Sequence, residues 1–347
     1  MVDEATRELI VSSSLTEAPL DSFLPRAAPL TQVTLGALST RPLVSVVVPS
    51  FNQGRFIRST IDSILEQDYR PIEIFVMDGA STDETLEVLR SYAACRELRW
   101  VSETDGGIVE AVNKGFRRVH GEIVAIQSSD DCYRPGALSR VVDEFNRQPD
   151  VGLIYGDSVK VDVAGLELAR HVIDPYSLKG LLLLKTWIPQ PSAFFRRELL
   201  EAVGGWDDTV PYSADIDMWV RMAFRTRVVK IDRFLSQRRV HDTQRDMQVA
   251  NIAQDYTRMI EQSPDIASAP RDIARAAHAG KHLLRVRYNP HGSDLYAAWS
   301  LIRAAWYVPG CLDLRRLLTH GLWLPSRRAC SSLKKRVFGL LRLERET

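Results

Sequence analysis

Val44-Ser45-Val46-Val47-Val48-Pro49-Ser50-Phe51-Asn52 is the stretch from which the fold is read. Four of its first five residues are β-branched valines, an almost continuously apolar run of the kind that suits a strand buried on both faces of a parallel sheet. Pro49 ends that strand, and Phe56, Ile57, Ile61, Ile64 and Leu65 then recur at helical spacing. A second strand is predicted from Ile72 to Met77, followed by a helix through Leu86, Leu89 and Tyr92 with Ser81 and Glu84 at capping-box spacing. Leu98 to Ser102 reads as a third strand, and Ile108, Ala111, Val112, Phe116 and Val119 as its helix. Ile123 to Ile126 reads as the fourth, with Pro135 early in a helix through Leu138, Val141, Val142 and Phe145. Strand and helix alternate four times, which predicts an α/β fold with a doubly wound, mostly parallel sheet.

Outward from this core the pattern weakens. Residues 1–41 carry scattered Ser, Thr, Pro and Ala and are expected to form a mobile leader. After Val151 come a strand at Gly152 to Tyr155, a hairpin around Gly165, and then loops and short helices. From about residue 246 the chain is helical and Arg-rich. The expected organisation is therefore a leader (1–41), an α/β domain (42–245, its regular alternation giving way at 150/151) and a basic helical region (246–347).

Charge is split along the same line. From Arg271 onward there are 15 Lys+Arg against 5 Asp+Glu, and before it 30 against 39. An acidic body with a basic tail predicts an anionic membrane surface as partner of the tail, and disfavours nucleic acid, whose phosphates the body would repel. No uninterrupted apolar run approaches the roughly 18 residues that span a bilayer. The start of the chain lacks a basic-then-apolar segment, so no secretory signal is expected. Cys95, Cys132, Cys311 and Cys330 show no metal or disulfide spacing and suit a reducing compartment.

Ligands of open parallel sheets bind at the carboxyl ends of the strands. Ser50 and Asn52 follow the first strand, Asp78 the second, Glu103 and Asp105 the third, Asp130 and Asp131 the fourth. One such aspartate is an ordinary helix cap; the whole set is not explained by capping. Adjacent Asp130 and Asp131 repel each other, which a divalent cation relieves. A GxGxxG turn and a GxxxxGK[ST] loop are both absent, which excludes a dinucleotide-binding dehydrogenase and a P-loop ATPase. A diphosphate held through a metal ion fits what remains.

With these motifs in this order, the chain from about Val44 to about Arg245 resembles the family 2 glycosyltransferases of GT-A fold. The resemblance implies an inverting transfer of a sugar from a nucleotide-sugar donor, a UDP-sugar favoured, to a glycan or lipid-linked hydroxyl acceptor in cell-surface polysaccharide synthesis, with Mn2+ or Mg2+ as cofactor. It implies Pro49, Ser50 and Asn52 in the nucleoside pocket, Asp78 on the base, and Asp105, Asn113 and Lys114 on the donor. Ser128-Ser129-Asp130-Asp131 stands where the family keeps its metal motif, with Ser128 in the first acidic position, and either aspartate is left open as the ligand. Ala214-Asp215-Ile216-Asp217 resembles the base motif with Ala for Glu: Asp215 is the expected base and Asp217 its reserve. In Arg239-Val240-His241, His241 is expected to reach the metal or diphosphate from an arginine-bearing loop. Trp187, Gln190 and Trp206 are acceptor-side candidates, Trp219 a core residue. The rival reading is a non-catalytic sugar-nucleotide-binding scaffold. The expected location is the cytoplasm, on the inner face of the cell membrane, the last helix from about Ser332 making the attachment.

Overall fold

The computed structural model describes residues 32–242, 244, 248–288, 294–309 and 311. They form two compact units, one of residues 32–176 and 188–242 and one of residues 177–187 with those described from 244 on. The division thus falls a few residues before 245/246, and Ser177–Trp187 goes with the second unit.

In chain order the first unit contains β1 (Val44–Ser50), α1 (Gly54–Leu65), β2 (Ile72–Asp78), α2 (Thr85–Arg90), β3 (Leu98–Ser102), α3 (Ile108–Phe116), β4 (Ile123–Ile126), β5 (Cys132–Tyr133), α4 (Ala137–Arg147), β6 (Val151–Val161) and β7 (Glu167–His171). After α5 (Leu178–Leu182), which belongs to the second unit, it resumes with β8 (Ala193–Arg196), α6 (Arg197–Val203), α7 (Ala214–Ala223) and β9 (Arg227–Arg239). The strands form one sheet in the order β3-β2-β1-β4-β8-β6-β9-β5, with β7 pairing to β6. β3, β2, β1 and β4 run parallel, β8 is antiparallel to β4 and β6, and β9 lies parallel to β6.

Alternation along β1 explains its apolar run. Val44, Val46 and Val48 enter the core cluster with Ile57, Ile61, Ile74 and Ala125. Val47 faces α3, where a Cβ added to Gly115 would stand 2.3 Å from its Cγ1. Each buried valine contributes roughly 1.5–3 kcal/mol, so both faces favour the strand.

The structure corrects four local readings. Residues 32–41 are bound to the domain: Val33 N donates to Arg225 O, Gly36 N to Glu198, and Ser39 N to Glu122 Oε2. The capping box does not form, because Ser81 Oγ donates to Asp78 Oδ1 and Asp83 accepts from Thr85 N instead. Pro135 precedes α4, whose N-cap Gly136 is left-handed at φ 74°. β9 occupies 13 residues assigned to loops and short helices; β6 and β5, pairing on either side of it, supply the partners its polar sequence does not advertise.

The second unit adds α8 (Val249–Gln262), α9 (Pro264–Ser268), α10 (Arg271–Tyr288) and α11 (Asp294–Tyr307) to α5. α10 packs on α5, α8 and α11, and Gly280 is required where α10 meets Leu182 O, 1.8 Å from where its Cβ would stand. Among the described residues no helix is long and apolar enough to cross a membrane. The leader up to residue 31 and the expected attachment helix from Ser332 lie outside the described residues.

Candidate active site

The pairing of β5 with β9 sets the centre of the site. Cys132 stands opposite Gln237 and Tyr133 opposite Ser236, so the residues just before β5 face those at and beyond the end of β9. His241 Nε2 lies 2.8 Å from Asp130 Oδ2, and both side chains are largely buried. Phe56 packs against the His241 ring, centroids 5.2 Å apart.

Asp131 goes the other way. Its carboxylate is 4% exposed and accepts from Arg239 N at 2.8 Å. Burial, and then the charge of Asp130, push its carboxyl well above the usual range. The repulsion expected between the two aspartates is expressed in that upward push, and their carboxylates take different partners, Arg239 N for Asp131 and His241 Nε2 for Asp130. Of the two, Asp130 is the one beside His241.

Arg239 is not on a loop over the ligand but is the last residue of β9. Its Nε donates to Asp130 O at 3.0 Å and its Nη1 to Asp162 O and Val163 O at 3.1 Å each, while its guanidinium stacks 5.1 Å from the Phe56 ring. It holds the turn that carries Asp130.

Among the described residues no group of three or more His, Cys, Asp or Glu side chains forms a ready cation cage. A carboxylate oxygen and an imidazole nitrogen at hydrogen-bond distance are nevertheless donors that a Mn2+ or Mg2+ ion accepts, when waters or substrate phosphates complete its coordination.

Further along the sheet edge, Gly79 N donates to Ser50 O and Glu103 N to Asp78 O, which aligns the ends of β1, β2 and β3. Asn52, at a left-handed φ of 52°, receives Thr82 N on its side chain and gives its own N–H to Ser81 Oγ. Asp78 is buried and accepts from Ser81 N, Ser81 Oγ and Ser102 Oγ. Ser50 Oγ is buried beside Pro49 with no protein partner among the described residues. Phe51, inside the stretch from Ser50 to Asn52 expected to line the nucleoside pocket, is 60% exposed at this edge.

Several expected ligand contacts are structural. Asn113 Nδ2 donates to Trp206 O and its Oδ1 accepts from Trp206 N, at 2.9 and 2.8 Å. Lys114 is held between Glu103 and Glu110 at 2.9 Å from each. Gln190 braces the end of β4: its Oε1 accepts from Ser128 Oγ and its Nε2 donates to Ile126 O. The Trp206 ring is 6% exposed. Trp187 is exposed and belongs to the second unit, and Trp219 is fully buried as expected.

On α7, Asp215 is partly exposed in the first turn. Asp217 is 3% exposed and paired with Arg221 Nε at 2.8 Å, while Arg221 also caps Val203 O and Gly205 O. A buried carboxylate pinned to an arginine cannot meet an acceptor, so the structure removes Asp217 as reserve base.

Comparison with known proteins bears on the family and the fold. A family model described as Glycosyl transferase family 2 matches residues 45–204. An uncharacterised glycosyltransferase of Mycobacterium tuberculosis is 30% identical over 198 residues, covering 56% of this chain and 74% of that protein. Mannosyltransferase PcManGT from Pyrobaculum calidifontis, solved with GDP-Man and Mn2+, is similar with a TM-score of 0.58 and 25% identity, over 88% of this chain and 83% of that one. TarS 1–349 of S. aureus, solved with UDP-GlcNAc, is similar in fold, with a TM-score of 0.60 and 16% identity over 84% and 91%. Two longer rickettsial relatives are matched over 36% of their length.

Proposed function

The chain belongs to glycosyl transferase family 2, and from that premise we propose that it is an inverting, metal-dependent hexosyltransferase moving a sugar from a nucleotide-sugar donor to a hydroxyl of a glycan or lipid-linked acceptor. The observation that carries this reading is the 2.8 Å pairing of Asp130 with His241 at the carboxyl end of β4.

Asp130 and His241 are the residues that would hold Mn2+ or Mg2+. Bound there, the ion spreads the charge that builds on a departing nucleoside diphosphate. Phe51 offers an exposed ring for a base to stack on, and Ser50 Oγ a hydroxyl for the ribose. Asp215, in the first turn of α7, takes the proton of the acceptor hydroxyl as that oxygen attacks the anomeric carbon. Single displacement inverts the anomeric centre. The donors in the two solved neighbours, GDP-Man and UDP-GlcNAc, support a nucleotide sugar and leave uracil and guanine both in play; a UDP-sugar is the one we favour.

The acceptor reading extends to place. Trp299, Ile302 and Trp306 of α11 are 48%, 68% and 66% exposed, three or four residues apart on one face. Such a stripe, in a region rich in Arg and Lys, suits the interface of an anionic membrane. We therefore assign the protein to the cytoplasmic membrane surface, beside a lipid-linked acceptor of cell-surface polysaccharide synthesis.

Release of nucleoside diphosphate across a panel of UDP- and GDP-sugars, with Mn2+ and with chelator, tests the reading. One donor class should be consumed, only with metal. Binding without turnover on every donor and acceptor tried would instead identify a sugar-nucleotide-binding scaffold.

A further inference from the structure

The seam between α10 and α11 holds polar atoms that the fold does not use. His282 is 3% exposed and Ser300 is fully buried. His278 Nδ1, His282 Nδ1, Ser300 Oγ and Arg303 Nε are all buried with no hydrogen-bond partner among the described residues. Each such group costs stability, and apolar side chains of similar size would pack two helices without that cost.

These residues belong to one layer. His278 and His282 lie one turn apart on α10, and both rings stack on Tyr307 of α11, with centroids 5.2 and 5.9 Å away. Trp299 meets His282 edge-on at 5.5 Å. The Arg303 guanidinium carbon is 5.9 Å from the Tyr307 centroid and 5.5 Å from those of Trp299 and Trp306. Both tryptophans are exposed, so Arg303 links the buried imidazoles to the surface. Arg275, donating to Tyr307 O and Trp306 O, ties this end of α11 to α10.

The chemistry of the set is one-sided. A hydroxyl and a guanidinium N–H donate, and an imidazole Nδ1 donates whenever it carries the proton. Burial, and then the charges of Lys281, Arg285 and Arg303, push the His282 ring down to about 4. Glu261, the carboxylate that acts on His278, is taken by Lys281 at 2.8 Å. Two imidazoles at this spacing suit a transition-metal ion, but it would face those cations. An anion that offers several acceptor oxygens matches both the donors and the field, and a phosphate group is such an anion.

We infer that the α10–α11 seam is a phosphate-binding site, filled at the membrane by the headgroup of an acidic phospholipid that enters between Trp299 and Trp306. The phosphate site stands on the seam alone, and its lipid source rests on the interfacial reading of α11 above. Arg303 meets the phosphate first; Ser300 and the two imidazoles complete its oxygens below. The exposed indoles on either side then lie at headgroup depth, where amphipathic rings are favoured.

Two probes of the full chain test this, both with chelator present to keep metal-held phosphate out of the nucleotide site. Inorganic phosphate should shift the side-chain nitrogen resonances of His278 and His282 and raise the melting temperature. Vesicles of digalactosyldiacylglycerol, a neutral lipid without phosphate, should bind the chain about tenfold more tightly when they carry phosphatidate than when they carry oleate at equal surface charge. Ser300→Ala deletes an unsatisfied hydroxyl, so without phosphate it should melt no lower than the parent, yet bind phosphate about tenfold more weakly. Arg303→Gln should weaken both probes, and nucleotide binding with Mg2+ should persist in both variants. Imidazole resonances unmoved by phosphate, or a Ser300→Ala chain that melts lower and binds phosphate like the parent, overturn the inference. Equal binding of phosphatidate and oleate vesicles, with the imidazole shifts intact, overturns the lipid source and makes a soluble phosphate ester the occupant. Binding to neither vesicle overturns the interfacial reading of α11 as well.

Discussion

Asn113 and Trp206, 93 residues apart, exchange a reciprocal pair of hydrogen bonds, amide to carbonyl and carbonyl to N–H. This clamp fixes the Gly204-Gly205-Trp206 turn against α3. Gly205 has no room for a side chain, its Cβ position lying 2.1 Å from Asn113 Oδ1. Asn113→Ala should therefore lower unfolding free energy by about 1–3 kcal/mol, the cost of leaving such groups unpaired, with little change in nucleotide affinity. Denaturant titration beside calorimetry decides it. A large affinity loss at unchanged stability would return Asn113 to the donor.

The two adjacent aspartates should behave oppositely. Asp130→Ala and His241→Ala are each expected to weaken Mn2+-dependent UDP binding at least tenfold, because each removes one of two protein donors to the ion. Asp131→Asn keeps a buried oxygen that can accept from Arg239 N, on the side away from His241, and should leave that binding within a few-fold. Titrating UDP with and without Mn2+ separates them; equal losses at 130 and 131 would restore a paired-carboxylate metal site.

Asp215→Asn is expected to reduce transfer by roughly 10²–10⁴ while donor affinity holds. Asp217→Asn should act on the fold instead, lowering stability by about 3–5 kcal/mol by stranding buried Arg221. Single-turnover rates and melting curves of the two variants are the measurements. A stable Asp217→Asn enzyme with lost turnover would exchange their roles.

Acid should loosen the helical unit through His282. The ring is 3% exposed, and burial together with the charges of Lys281, Arg285 and Arg303 pushes it down to about 4. Its buried Nδ1 has no hydrogen-bond partner among the described residues. A folded value below the unfolded one of about 6.5 means that the neutral ring's contribution is complete above pH ~6.5 and is lost as pH falls toward 4. His282→Gln should flatten the fall in melting temperature between those limits; an unchanged slope would place the acid sensitivity elsewhere.

Vesicle co-sedimentation reports on α11. Binding should need anionic lipid and weaken with salt, and the double substitution Trp299→Ser with Trp306→Ser should reduce it severalfold while nucleotide binding persists. Equal sedimentation of parent and variant would detach this helix from the membrane.

β1, β2 and β4 were legible because each is a short, largely apolar run closed by polar residues, a pattern that burial on two faces imposes, while β3, at the sheet's edge and only partly buried, was legible from its place in the alternation. β9 was not, because six of its thirteen residues are charged and only the flanking β5 and β6 make it a strand. The same physics blurred the site. Sequence placed Asp130, Asp131 and His241 in one neighbourhood, but which aspartate turns inward depends on Arg239 N, a backbone group with no signature. Asn113, Lys114 and Gln190 are polar residues near a predicted edge, and nothing local distinguishes a ligand contact from a clamp whose partner lies elsewhere in the chain.

The β5–β9 pairing also orders events during synthesis. Asp131 leaves the ribosome 108 residues ahead of Arg239, an interval of about 5–20 s at ordinary elongation rates. Throughout it, the β1–β4 half carries a carboxylate that has neither its amide donor nor its cover. Nucleotide pocket and base-bearing half are therefore not two modules joined in series; the nascent first half waits for a strand that arrives last, and a chain halted before β9 would emerge with the site's floor open and without His241.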